Sequence, residues 1–310
     1  MDSTVDWKIE FCELLFPANE KPRNEDQAYE LKYINRPKSI FKFRGVNQEF
    51  FPKYIEEIKD EMIWVARPDR FNDPYEIYFK ADVQKTFFEF YLRKYPRIKS
   101  EIPLEVLESI RAGERPSERL FQYFLAKSGN LSKGSLEVLE EKFKNENLDQ
   151  NRKFMNDTVK VCCFSERNDS IPMWAHYADE HKGFCIEYDI YDQAKELIRF
   201  LFPIIYTDEI TDVTKELSDG VIGWGIKPTI FKSKDWSYEK EWRFIRSTPP
   251  DPPYVGVHLK FFPIKGIYLG TDIKDEHKSK LIEIAATKNI PVYKMTMSDT
   301  KFSFQHFSIS

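Results

Sequence analysis

The chain has 310 residues, 41% hydrophobic and 15% aromatic, with 47 Lys and Arg against 51 Asp and Glu and a net charge of -4. That is enough apolar material for a sizeable core, and the weakly acidic balance is not the footprint of a general nucleic-acid binder. Only 11 glycines occur, and the absence of G-x-G-x-x-G and G-x-x-x-x-G-K-[ST] strings argues against Rossmann and P-loop enzymes.

The opening MDSTVDWKIEFCELLF carries acidic residues and lacks the basic start, long apolar run and small-residue cleavage site of a secretory leader. No segment reaches bilayer-spanning apolar length. Cys12, Cys162, Cys163 and Cys185 have no disulfide-framework spacing and suit a reducing compartment. The expectation is a cytoplasmic protein with no membrane association.

From Met1 to about Ser39 the leader is mixed, and Lys21 to Asp26 is polar enough for a loop. Residues 40–44 alternate, with Ile40, Lys42 and Arg44 on one face and Phe41 and Phe43 on the other, which predicts a strand. Tyr54, Ile55 and Ile58 predict a helix over about 51–59. Met62 to Ala66 reads as a short apolar strand, and RPDRFNDPYE as a turn-rich string. From about Val83 to Asp157 apolar residues recur at spacings of three and four amid dense charge, from Phe87 through Leu136 and Leu139 to Phe143. This predicts several amphipathic helices with a structural or partner-binding role.

A second strand-rich part begins at VKVCCFS. Ser170 as N-cap, Pro172 in the first turn and Gly183 as a stop then bound a helix. Strands continue through FCIEY, FPIIY, EWRFI, YVGVHL and GIYLG, followed by a helix at EHKSKLIEIAATKN and a closing strand at PVYKM. Strands early, helices in the middle and strands late predict an α+β fold. The expected organisation is one domain over 1–310, with a helical insert at about 83–157 inside a β-rich core of 40–82 and 158–297.

Four segments carry candidate chemistry. Lys42 and Arg44 project from one face of a strand and suit a diphosphate or carboxylate, against the alternative of a solvated amphipathic face. Asn72 and Asp73 form a turn signal with Pro74, and Asp73 is placed either to orient a substrate hydroxyl or simply to make the turn. Trp174 and Tyr177 are neighbours if helical, while Met173, His176, Tyr177 and Glu180 share another face. These aromatics either stack on a planar ligand or fill the core, and core is the commoner use of such a Trp. His176, His181, Cys185 and Cys163 are zinc donor types without zinc-motif spacing, so no metal is expected. A nucleophilic Cys–His pair has equally little support, since Cys162 and Cys163 lie on an apolar strand suited to buried thiols. Glu239, Glu241 and Arg243 would face one way on a strand. The two carboxylates could then divide labour, one steadying positive charge and the other handling a proton, with Arg243 either at the ligand or paired with Glu241.

Together FNDPYE, CFSERND, MWAHYADEHKGFCIEYD and WSYEKEWRFI resemble bacterial domain-of-unknown-function family 2971, whose blocks occur here in order from about Phe41 to Gly270. A basic early strand, a middle aromatic/Ser strand and a late Glu-x-Glu strand are also similar, more loosely, to the ADP-ribosyltransferase superfamily. That likeness implies a mixed, split β-sheet core and NAD as substrate. It implies Arg44 as the NAD-holding cation, Ser165 on the middle strand, Trp174 or Tyr177 at nicotinamide, Glu241 as catalytic carboxylate and Glu239 as its helper. Lys42, Asn72, Asp73, His176 and Arg243 complete the expected ligand-contacting set. The resemblance further implies a nucleotide ligand, an unidentified macromolecular acceptor, and a toxin or phage-defence setting; a protein partner at the helical insert is expected from its amphipathic helices instead. Two alternatives stand beside it. One is a non-enzymatic sensor of a nucleotide or other anion; the other is a metal-dependent nuclease or hydrolase with Asp73, Glu239 and Glu241 as ligands. On the leading reading Arg44, Trp174 and Glu241 should line one pocket.

Overall fold

The computed structural model describes residues 6–18, 22–128, 141, 149–220, 225–249 and 255–309. The expected helix-face residues Leu136, Leu139 and Phe143, and Tyr254 of the YVGVHL string, lie outside these. In chain order the strands are β1 (Ser39–Arg44), β2 (Met62–Ala66), β3 (Phe79–Lys80), β4 (Val159–Ser165) and β5 (Phe184–Asp189). They continue as β6 (Leu201–Pro203), β7 (Ile205–Thr207), β8 (Thr211–Asp212), β9 (Phe231–Ser233) and β10 (Glu241–Ser247). β11 (Gly256–Lys260), β12 (Ile264–Leu269), β13 (Val292–Met297) and β14 (Phe304–Ser308) complete the described set. Ten of them form one mixed sheet whose main path runs β11-β2-β4-β1-β5-β12-β13-β14, with β10 paired to β4 and β6. The fold is α+β.

The alternating IFKFR pattern does form β1, because Ile40 and Phe43 each have a core face to enter and are 0% and 6% exposed. β5 is buried along nearly its whole length, since β1 and β12 flank it and both of its faces are covered. β12 and β13 run parallel, a pairing that needs a crossover, and the helix Asp275–Thr287 supplies it.

The sheet divides at β4. One flank of β4 pairs with β10 throughout, from Glu241 opposite Ser165 to Ser247 opposite Val159. The other flank is shared: Phe41 of β1 faces Ser165, and Ala66 of β2 faces Val161. Between those contacts β1 and β2 part, and a cleft opens beside the parting.

The main core lies on the face that carries Ile40, Ile186, Phe244, Trp242 and Leu269. The opposite face bears Phe43, Cys185 and Tyr268 under Trp174 of the helix Ile171–Tyr177. Among the described residues, the helical stretch expected from Val83 holds Val83–Lys94, Pro96–Ser100, Leu104–Ala112, Pro116–Ser128 and Asp149–Thr158. It has its own cluster of Phe88, Leu92, Ile102, Leu107, Ile110 and Leu120. β3 pairs with β8 in a separate two-stranded sheet, and Val83–Lys94 packs on the helix Thr214–Asp219, where Arg93 donates to the Leu217 carbonyl (3.1 Å).

Four local expectations are corrected. The leader holds two helices, Trp7–Leu15 and Glu25–Ile34, so Glu25 and Asp26 open a helix capped by the Asn24 side chain on the Gln27 amide (3.2 Å). Ser170 stands at an N-cap, but its hydroxyl makes no capping bond. The helix ends at Tyr177 rather than at Gly183, followed by three left-handed residues, Asp179, Glu180 and His181, at φ 49, 52 and 69°. Gly183 serves close approach instead, since a Cβ there would lie 2.1 Å from the Arg44 carbonyl oxygen. PVYKM is not the last strand, because β14 extends the sheet along β13. The four cysteines are unpaired, and among the described residues no helix is long and apolar enough to cross a membrane.

Candidate active site

The cleft beside the divided sheet encloses about 410 Å³. β1 contributes Phe41, Lys42 and Phe43, β4 contributes Cys163, Phe164 and Ser165, and β10 contributes Glu241 and Arg243. Met173, His176 and Tyr177 enter from the helix above, and Arg70, Phe71, Asn72 and Glu76 from the FNDP loop. Lys232 of β9 and Glu239 complete the lining.

At its base is a buried charge network. Glu241 is 2% exposed, and its Oε1 accepts from Arg243 Nε (2.7 Å). Lys232 Nζ donates to Glu241 Oε2 (3.0 Å) and to Glu239 Oε2 (2.6 Å). The other Glu239 oxygen accepts from the Tyr177 hydroxyl (2.6 Å), which in turn accepts from Asn72 Nδ2 (3.3 Å). Arg243 also grips Glu76 with both terminal nitrogens and donates to the Thr229 carbonyl (2.7 Å). The Tyr206 hydroxyl accepts the Glu241 amide (2.8 Å). Three carboxylates thus meet two cations, which leaves the fully ionised cluster one negative charge in excess.

Environment drives the two glutamates apart. Burial and the adjacent Glu241 raise the Glu239 carboxyl above its ordinary value, with Lys232 and Tyr177 offsetting only part of the shift. Burial also opposes ionisation of Glu241, but Arg243 and then Lys232 overcome it and hold that carboxyl below its ordinary value. Of the two, Glu239 is the carboxyl whose ionisation its surroundings oppose and Glu241 the one they hold charged. Burial and the neighbouring Glu241 push the Cys163 thiol well up, which favours its protonated form.

The pair does not arise from strand alternation, as EKEWR alone suggests. Glu239 ends a 3₁₀ helix, Lys234–Glu239, and Lys240 takes a left-handed conformation (φ 47°) before β10 begins at Glu241. That kink, with Lys232 between the carboxylates, aims both at one place.

The expected site residues separate into two groups. Lys42, Asn72, Ser165, His176, Tyr177, Glu239, Glu241 and Arg243 do line the cleft. Lys42 donates to the Cys163 carbonyl (2.8 Å) where β4 lacks a ladder partner on that flank, and no carboxylate among the described residues pairs with it. The Ser165 hydroxyl donates to the Glu239 carbonyl (2.7 Å), fixing the turn that carries the carboxylates. His176 Nδ1 meets the Tyr238 hydroxyl (3.1 Å). Arg243 is wholly committed to carboxylates and a carbonyl, so the ion-pair alternative is the one its geometry shows.

Arg44, Asp73 and Trp174 lie elsewhere, so Arg44, Trp174 and Glu241 do not share one pocket. The helix Phe51–Asp60 brings Glu57 over Arg44, and the two pair at 2.8 Å with the guanidinium over the Tyr54 ring. Asp73 Oδ1 accepts the Tyr75 amide (2.9 Å) and so makes the turn. Trp174 is 1% exposed, packs edge-on to Phe43 at 5.3 Å, and donates to the Asn168 carbonyl (2.6 Å). Asp73 is not among the residues that line the cleft with Glu239 and Glu241. Among the described residues no three or more His, Cys, Asp or Glu side chains are grouped to hold a metal ion.

Sequence reading missed Lys232, Glu76, Arg70 and Tyr206. Lys232 and Tyr206 face each other across the parallel pair β7–β9, whose three-residue strands leave little periodic signal. Glu76 stands in the FNDPYE block, where nothing local indicates a partner 167 positions away. Arg70 is exposed at the cleft and pairs with no carboxylate among the described residues.

A family model described as a protein of unknown function (DUF2971) matches residues 173–244. No curated protein and no solved structure matches the chain, so the ADP-ribosyltransferase likeness rests on residue order and type alone. The matched stretch, Met173 to Phe244, is the one that brings His176, Tyr177, Lys232, Glu239, Glu241 and Arg243 to the cleft, and there the chain is similar to the domain-of-unknown-function family DUF2971.

Proposed function

We propose that the cleft consumes NAD, as an ADP-ribosyltransferase or NAD glycohydrolase. The observation that carries this reading is the unequal carboxylate pair, Glu239 and Glu241, at the base of a cleft lined by Phe41, Phe43, Phe71 and Tyr177. Such a pair suits a reaction that develops positive charge and then transfers a proton. In that reaction the bond between ribose C1′ and the nicotinamide nitrogen breaks, and its electron pair leaves with neutral nicotinamide. Glu241, held ionised, stabilises the oxocarbenium-like ribose. A hydroxyl or other nucleophile of a macromolecular acceptor, or water, bonds to C1′ and gives up its proton to Glu239. Lys42 and Arg70, the cleft cations without carboxylate partners, are the groups for the diphosphate. No metal ion enters this scheme, and depletion or diversion of cytoplasmic NAD would suit a toxin or phage-defence effector.

The test is nicotinamide release from NAD by the purified chain, with and without cell lysate, beside Glu241→Gln and Glu239→Gln. Release should fall by about 10²-fold or more when Glu241 loses its charge. A folded wild-type chain that releases none, with any acceptor supplied, would sink the reading. One observation favours a second reading as a nucleotide-binding module: every Glu239 and Glu241 oxygen already has a protein partner. That module would bind ADP-ribose equally well after Glu241→Gln and form no product.

A further inference from the structure

Lys232 presents one ammonium to two carboxylates in a nearly dry place. Its side chain is 7% exposed, with Glu239 Oε2 at 2.6 Å, Glu241 Oε2 at 3.0 Å and the Trp236 ring centroid at 4.8 Å. A surface lysine trades partners with water, but this one cannot. Its strand β9 is held in register with β7, where Tyr206 sits opposite Lys232 and accepts the Glu241 amide. One short ribbon therefore fixes both the backbone of Glu241 and the cation between the carboxylates.

The partners are distributed unequally. Glu241 has a second cation in Arg243, itself held by Glu76. Glu239 has none, since its remaining contact is the neutral Tyr177 hydroxyl. We infer that Lys232 is the positioning residue of this site, its single ammonium holding Glu239 ionisable beside Glu241 so that one exchanges protons while the other keeps its charge. The inference rests on the two-carboxylate reading of the cleft given above. The charged and titratable groups facing the pair are Arg243 and Glu76 across the base, Cys163 on β4, Tyr206 on β7, Tyr177 on the covering helix, and Tyr238 on the 3₁₀ helix. Lys42 approaches Cys163 from β1. Among these Lys232 alone bonds both carboxylates.

The test compares wild type, Lys232→Gln and Lys232→Arg by two readouts. One is the pH profile of nicotinamide release. The other is titration of the Glu239 carboxyl by 13C NMR on glutamate-labelled protein, assigned with Glu239→Gln. Lys232→Gln keeps a hydrogen-bond donor and removes the charge. It should move both the acid limb of the profile and the Glu239 titration upward by about one pH unit or more. Lys232→Arg should leave both near their wild-type positions. A folded Lys232→Gln that titrates like wild type overturns the inference. Should Lys232→Gln not fold, Lys232→Met, of similar length and without charge, takes its place: an upward shift of the Glu239 titration supports the role, and an unshifted one overturns it. If wild type releases no nicotinamide the NAD reading falls, and the carboxyl titration by itself still decides what Lys232 does.

Discussion

Arg243 has no exposed surface, and its guanidinium serves Glu76, Glu241 and the Thr229 carbonyl at once. Replacing it by Leu strands two buried carboxylates. Arg243→Leu should therefore cost about 3–5 kcal/mol in urea unfolding, the range for breaking a buried pair from one side. Arg167 pairs with Asp169 in an exposed position, so Arg167→Ala should change stability by less than about 1 kcal/mol. Equal losses for the two variants would show that the buried network does not contribute to stability. The same network sets an acid limit. Because the folded-state carboxyl of Glu241 lies below its ordinary value of 4.5, its contribution is complete above that pH and disappears as protonation is forced below it. Unfolding midpoints should drop steeply on acidification below about pH 4.5, and the slope should be shallower in Glu241→Gln. Parallel curves for the two proteins would contradict this.

At the scale of elements, two tight places shape the cleft. Gly183 follows the left-handed run and opens β5, and any Cβ there meets backbone atoms: the Arg44 oxygen at 2.1 Å and the Ala178 oxygen at 2.8 Å. Backbone cannot rotate away as a side chain can, so Gly183→Ala should cost about 1–3 kcal/mol or more. Gly45→Ala is the control, since its new Cβ would meet the Asp179 Cβ at 3.4 Å and the Asp179 nitrogen at 3.9 Å, both without a clash. A thermal melt of both separates the steric effect from a general glycine effect. Lys240 is the second place. Its left-handed φ turns the 3₁₀ helix into β10 and aligns Glu239 with Glu241. Lys240→Gly relieves that conformation and should stabilise by about 1 kcal/mol with the cleft intact. A destabilised Lys240→Gly would mean that the Lys240 side chain, not its backbone, matters here.

Across the whole molecule, the residues expected as an insert carry a hydrophobic cluster distinct from that of the large sheet. Val83–Lys94 meets the rest of the chain chiefly through the short helix Thr214–Asp219, not through the large sheet. Amide hydrogen exchange should show the helices Val83–Lys94, Leu104–Ala112 and Pro116–Ser128 opening at lower free energy than β1, β4 and β5. Leu107→Ala, in that separate cluster, should speed exchange in those helices and leave β4 and β5 unchanged. Uniform loss of protection across both parts would instead show one cooperative unit.

How much was legible follows from the range of the forces. Strand alternation in 40–44, the apolar run 62–66, the turn block at Asn72 and Asp73, and the helical spacing after Val83 are local, and each became the element its pattern implies. Glu239 and Glu241 stood out because two carboxylates so close in sequence must be neutralised, protonated or used. Sequence by itself determined the α+β class, most elements of the sheet, and the string from which the cleft takes its carboxylates. Tertiary structure decided which cation serves which acid: a helix carried Glu57 to Arg44, a loop carried Glu76 to Arg243, and a three-residue strand carried Lys232 between Glu239 and Glu241. Those pairings depend on which distant segments share a dry volume, where burial multiplies electrostatic interactions that water would screen, and no periodicity along the chain records that proximity.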